Sequence, residues 1–544
     1  MSRTCQDSSR LQRSGLAGAA WVALSLGCTT GELPDGAAPA LLHSKMASTA
    51  SAIAEANWMH VPVPPADGPR LFPLSLATRV RGAPSPESDP IGYLRVGENV
   101  ARSAVPVAQG GCKAGWYAVR PVGFVCQDDE ATTKADHPLV RAFTRGPNRA
   151  LPLPYSYAFV RAVAPNYLRI PTAEEQRTYE MRLQRHLDNH GRLAEAWDRM
   201  VPGANDVPLE SSGAASASSH RAFEEPDLNA RYGGRGDDEA PWWLTGGRRI
   251  PNISTFRAPS YAAMAGRIKR HAGVALVDSF VAGPEAGGRR FAVSVDGRLI
   301  PADKLKADRA SAFHGAPLGP EVALPVAFPV AELTHRYRVN KSGLERLHEV
   351  PRRQMVPLTG KVREAFGARL VEAADGTYLR SQDLKVATAP ATLPWFATGS
   401  TRWIDLSILS QTLVLYEGSR PVYATLVSSG RDGLGDPEET HSTPTGTFRI
   451  YQKHVTTTMD SSVADSEYEL RDVPWVMYFQ GGYALHAAYW HDDFGRPRSH
   501  GCVNLAPIDA RYVFNWSLPD VPAGWHASYS GDVMGTGTLV HIHK

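Results

Sequence analysis

Apolar and polar positions alternate along much of this chain, the pattern of half-buried β-strands. The alternation is clearest near the C-terminus. Ile404, Leu406 and Ile408 alternate, then Leu413 and Leu415, then Val422, Ala424 and Leu426, with residues 417–420 as a turn. Residues 443–448 (TPTGTF) form a turn feeding another strand. Residues 91–105 and 115–126 read as short strands, the latter a pair around Pro121, Val122 and Gly123. Residues 293–305 and 372–384 echo each other: each sets Asp-Gly at a hairpin turn, then apolar residues, then a polar corner ending in Leu. They predict two small β-rich modules within 250–390, serving either to space and position or to bind the cell wall or a partner. A helical period appears in two places. Over 172–200, Thr172 and Glu175 make a capping box and Tyr179, Leu183 and Leu187 recur four apart; the other stretch is 506–516. The fold class is mainly β and multi-domain, ending in an all-β sandwich or barrel with a minor helix.

A chain of 544 residues is too long for one hydrophobic core. Its 48 Gly and 42 Pro favour turns, short strands and linkers over a helical bundle. With 58 basic and 55 acidic residues it carries +3, without basic blocks, which argues against a nucleic-acid partner. Arg3, Arg10 and Arg13 precede an uncharged stretch, 15–27, that is shorter than the ~20 helical residues a bilayer requires. It suits the apolar core of an export signal, and no other stretch is long enough to span a membrane. Gly27 before Cys28 resembles a bacterial lipobox, which would lipidate Cys28 and hold the protein in the cell envelope (periplasm); otherwise it is secreted. The segments then read as signal peptide 1–28, tether 29–90, β module 91–135, helical segment and linker 136–249, β-rich modules 250–390 and a C-terminal domain 401–544. The 91–135 pattern resembles a bacterial SH3-like barrel, and the 250–390 modules resemble it more loosely. Cys112 and Cys126 are expected to close a hairpin by a disulfide in an oxidising compartment. Cys5 leaves with the signal. Cys502 is left over, so it is either a buried structural residue or a nucleophile.

The chemistry concentrates at 485–505, LHAAYWHDDFGRPRSHGCVNL. Ser499-His500-Gly501-Cys502-Val503-Asn504, with His486 upstream, resembles the signature of YkuD-type L,D-transpeptidases. IDLSILSQTLVLYEG, LVSSG and TPTGTF occur in the order that family shows, so the resemblance covers about 401–544. A thiol near pKa 8.5 is only a few per cent ionised at neutral pH and needs a neighbouring base. His486 and His500 are the candidates, and spacing alone leaves the choice between them open. The resemblance implies that Cys502 is the nucleophile, His486 the proton acceptor and later donor, and His500 a supporting residue. Gly501 lets a carbonyl approach closely. Backbone amides of Gly501 and Cys502 are candidate oxyanion donors, and Ser499 and Asn504 orient the site. It further implies attack on the L-centre carbonyl of a tetrapeptide stem, release of D-Ala, and transfer of the thioester to an amine (a 3→3 cross-link), to water, or to a protein. Tyr489, Trp490 and Trp525 are candidate cleft walls, and Asp492 and Asp493 candidates to attract an ammonium. Peptidoglycan stems are the expected partner, with no cofactor or metal, in a monomer. Two other enzymes fit less well. A papain-like wall peptidase would use a His after Cys502 (His526, His541 or His543), though His541 and His543 fit one face of a terminal strand. A zinc hydrolase would draw on His441, His486, His491 and Asp492, without a recognised metal spacing. A non-catalytic wall-binding scaffold is the remaining reading.

Overall fold

The computed structural model describes residues 60–190, 232–234, 238–308, 310–460 and 469–544. Residues 57–544 form one compact unit; the other, 1–56, lies outside the described residues. The export signal, Cys28 and most of the linker expected over 203–240 therefore also lie outside them. With 39% strand and 10% helix, the protein is mainly β, as the alternation predicts.

The segment expected to be a tether is ordered from residue 60 onward and carries strands Arg70–Pro73 and Thr78–Arg81. Leu71 and Val80 point inward and are fully buried. The Pro- and Gly-rich surroundings hide this alternation in the sequence. Thr78–Arg81 joins Pro90–Leu94 and Phe124–Cys126, which pairs with Trp116–Ala118, while Arg70–Pro73 lies between Val100–Ala101 and Ala131–Thr132 in a separate small sheet. Cys112 and Cys126 are disulfide-bonded, with Cα atoms 5.7 Å apart.

The helical expectation for 136–249 needs correction. Two helices there are short, Pro138–Ala142 and Ala173–Tyr179; residues 183–190 are helical, and the rest of the stretch expected to be helical to 200 lies outside the described residues. Thr172 and Glu175 do form the capping box, but the next helix starts only after Arg182, which turns to φ +59°. Strands Ser156–Val160 and Ala164–Tyr167 lie in the same region; both are buried nearly throughout, so they carry no apolar/polar alternation to announce them. They pair with Gly273–Val281 and with Met264–Ile268. The two echoing stretches share one local structure. Strand Arg290–Ser294 or Ala368–Ala373 enters an Asp-Gly turn; a short strand, a 3-10 corner and a last strand follow. The turn glycines, Gly297 and Gly376, have φ of +82° and +79°, which a side chain would disfavour.

In the C-terminal domain, strands Arg402–Ser407, Thr412–Glu417, Arg420–Leu426, Gly446–Arg449 and Leu539–His543 build one sheet. Gln452–Asp460, Glu469–Gln480, Tyr483–Ala487 and Val503–Leu505 build the other, and helix Pro507–Trp516 packs on it. Their facing side chains, including Leu406, Leu415, Met477, Leu485 and Val540, form one core. The upstream modules are not spaced apart from this domain. Tyr93 pairs with Ala527, and Gly273 with Leu470, so a single sixteen-stranded sheet runs through three of them.

Candidate active site

Strand Tyr483–Ala487 runs parallel to Val503–Leu505, in the register His486↔Asn504. The register sets Cys502, just before the second strand, beside the start of the first. Cys502 is half-buried as a residue, with its Sγ turned inward, 3.8 Å from the Gly482 carbonyl and facing the Ala484 amide. His486, two residues further along that strand, is buried. Its Nδ1 lies 3.1 Å from the Ala487 carbonyl. A carbonyl only accepts, so Nδ1 carries the proton and Nε2 keeps the lone pair that a base needs. The Trp490 ring covers His486 at 5.6 Å between centroids.

Burial dominates the electrostatics. It lowers the His486 pKa to about 4 and raises that of Cys502 to about 11. The resting pair at neutral pH is thus an uncharged imidazole and an uncharged thiol.

Residues 499–502 form a tight turn, not a strand, so His500 does not share a face with Cys502. The Ser499 hydroxyl donates to the Cys502 carbonyl and accepts from the Gly501 amide at 3.1 Å. That occupies the Gly501 amide and corrects its assignment as an oxyanion donor. Gly501 is needed for a different reason than substrate approach: φ is +121°, and a Cβ would sit 2.5 Å from Tyr483 Cε1. His500 turns toward Arg431, whose Nη1 donates to its Nε2 at 3.4 Å, and its ring meets His441 at 4.9 Å. Burial, Arg431 and His441 lower its pKa to about 4. Asn504 is buried, its backbone pairs both ways with Ser428 at 2.9 Å, and its side-chain amide lies 2.9 Å from His491 Nε2.

The segment between His486 and Ser499 departs from expectation. Tyr489 packs on Tyr157 at 4.4 Å and is buried, and Trp525 is buried with its Nε1 donating to the Arg120 carbonyl. Of the three candidate cleft walls only Trp490 adjoins the site. Asp492 is held by both Arg353 nitrogens at 2.6 Å, and Asp493 by Arg352 at 3.1 Å. These carboxylates are buried and neutralised, which removes them as attractants for an ammonium. The candidate zinc ligands are dispersed among these separate contacts, and among the described residues no cluster of three metal-ligating side chains assembles. His541 and His543 stack at 5.5 Å on one face of the last strand, and His526 lies buried against Thr456.

Cys502, His486 and the Gly501 turn sit on or next to two adjacent strands of the two-sheet core. Residues 401–542 match the YkuD family, the L,D-transpeptidase catalytic domain. A Bacillus subtilis protein provisionally named L,D-transpeptidase YciB is 27% identical over 144 residues, covering 22% of this chain. The chain spans 61% of that relative's length. Two solved structures align more loosely. The catalytic domain of the E. faecium L,D-transpeptidase has 21% identity and TM-score 0.21, covering 27% of this chain and 98% of that one. The L,D-transpeptidase of Xylanimonas cellulosilytica has 22% identity and TM-score 0.19, covering 29% and 64%.

Two residues of the C-terminal domain matter to the site without a local signal in the sequence. Thr443 was read only as part of a turn, yet its hydroxyl accepts from the Gly430 amide at 2.9 Å and donates to the Gly501 carbonyl at 2.8 Å. It ties LVSSG and TPTGTF to the Cys502 turn, and the fixed order of those motifs was the available signal. His491 was weighed only as a metal ligand. Its contact with Asn504 joins positions thirteen apart, a pairing that no local pattern announces.

Proposed function

We propose that this protein is a peptidoglycan L,D-transpeptidase of the cell envelope, with Cys502 as nucleophile and His486 as base. The observation that carries this is the disposition of His486, buried with Nδ1 bound to the Ala487 carbonyl and Nε2 left basic, on the strand beside the Cys502 turn. Sγ attacks the L-centre carbonyl of a tetrapeptide stem while its proton passes to Nε2. The oxyanion is met by the Cys502 backbone amide, since that of Gly501 serves Ser499. The C–N bond to D-Ala breaks as the His486 imidazolium returns the proton to the leaving amine, giving a thioester. A side-chain amine of a second stem then attacks the thioester with His486 again as base, forming the 3→3 amide and releasing the thiol. An export signal at 1–28 and a lipid on Cys28 would place this chemistry at a membrane facing the wall, and the upstream β modules would present the domain to it.

Incubation of the purified chain with defined tetrapeptide stems, followed by product mass, tests the reading. A dimer lacking one D-Ala is expected. Tripeptide alone would mark a carboxypeptidase, and unchanged stems would contradict the proposal.

A further inference from the structure

The loop that shields the base is held from outside its own domain. Arg353 lies between strands Gly343–Val350 and Val356–Ala365 of the upstream sheet and is buried at 4% exposure. Its backbone takes φ +63°, unfavourable for a side chain this long, and its amide donates to the Pro329 carbonyl at 2.7 Å. Strain at a buried, fully bonded residue persists where the surroundings over-determine it. Its guanidinium forks onto both Asp492 oxygens at 2.6 Å and also donates to the Asp492 carbonyl at 2.9 Å. The Ser311 hydroxyl adds a further bond to the same carboxylate. The surroundings of this pair are aromatic: Phe313 lies under the Arg353 guanidinium at 5.2 Å and stacks on Phe494 at 5.9 Å.

The two residues before Asp492 reach the candidate site. Trp490 covers His486, and His491 contacts Asn504, whose strand follows Cys502 directly. We propose that Arg353 is a positioning residue for the active site: by clamping Asp492 it fixes Trp490 over His486 and His491 against Asn504. The role extends the transpeptidase reading and rests on it for its kinetic consequence. It also explains why a bidentate arginine stands here rather than an apolar pair, since a fork fixes direction as well as distance.

The test uses the full chain and the variants Arg353→Lys and Arg353→Met, with Arg336→Met as control. Arg336 bonds Asp375 in the same upstream sheet, away from the loop. For release of D-Ala from tetrapeptide, kcat is expected to fall about 10-fold in Arg353→Lys and about 10²-fold in Arg353→Met, the scale of a 1 Å misplacement. KM should stay within about twofold, because the substrate does not touch Arg353. The control should match wild type. Arg353→Met leaves a buried carboxylate unpaired, so should it fail to fold, the charge-conserving Arg353→Lys decides. Thermal unfolding identifies folded variants. A folded variant with wild-type kcat, or a loss confined to KM, would overturn the clamp. Alkylation of Cys502 by iodoacetamide, mapped by peptide mass, needs no stem and should slow in parallel. A wild-type chain inert to stems but showing that alkylation difference would sink the transpeptidase reading and leave the clamp standing.

Discussion

At the scale of single residues, the site is a contest between burial and proton transfer. Burial keeps His486 neutral down to about pH 4 and keeps Cys502 protonated up to about pH 11. A base must be unprotonated to act, so acylation by a tetrapeptide should hold across pH 5–8 and fall only as the pH drops through about 4. A stopped-flow pH profile reads this directly, and an acid limb at the ordinary imidazole value near 6.5 would show a solvated His486. His486→Ala should lower kcat by about 10²–10⁴, the usual cost of a lost general base, with Cys502→Ala inert. His500 is a weaker target: its ring sits against Arg431 and His441, outside the proton path.

At the scale of elements, the 499–502 turn and the module hairpin each depend on one local device. Gly501→Ala places a methyl group into the Tyr483 ring at a φ of +121°. The strain is about 1–3 kcal/mol, so the fold should survive while the turn shifts and Cys502 loses its place. Circular dichroism of wild-type shape with acylation reduced more than 10-fold is the expected pairing, and full activity would contradict it. In the upstream module, Cys112 and Cys126 are 14 residues apart and closed by a disulfide. A loop of that size contributes about 3 kcal/mol in the chain-entropy model. Denaturant unfolding with and without reductant should differ by about that amount. The hairpin echo and the capping box were legible because each is encoded within a dozen residues. Strands Thr78–Arg81 and Ser156–Val160 were not: the first is only four residues long, and the second is buried on both faces and does not alternate.

At the scale of the molecule, acid should weaken the fold. Burial lowers the pKa of His454, His486 and His500 to about 4, and that of His491 and His526 well below 6.5. Between about pH 6.5 and 4 the unfolded chain binds protons these rings refuse, so their contribution to stability is complete above 6.5 and lost as pH falls. Glu98 and Asp509, raised by burial to about 7 and about 6, act oppositely and favour the fold at lower pH. Among the described residues His271 and His541 are lowered too, while Glu130 and the His543 ring are raised. Seven lowered rings against four raised groups make a lower Tm at pH 5 than at pH 7 the expected result of calorimetry; a higher one would mean the raised groups prevail.

What sequence disclosed at this scale was the catalytic domain, because its chemistry lies in contiguous motifs. The sharing of sheets between modules was hidden. Tyr93 meets Ala527, and Arg353 meets Asp492, across hundreds and more than a hundred positions respectively. For the same reason Asp492 and Asp493, candidates to attract an ammonium by sequence, prove to be buried ion pairs.

The central claim is that Cys502 forms a thioester with the donor stem. Rapid acid quench of the purified protein with tetrapeptide, followed by intact mass and peptide mapping, measures that bond. The expected result is an adduct of the stem minus D-Ala on the peptide containing Cys502, absent in Cys502→Ala. Stem turnover without any adduct, or an adduct that survives in Cys502→Ala, would contradict the account.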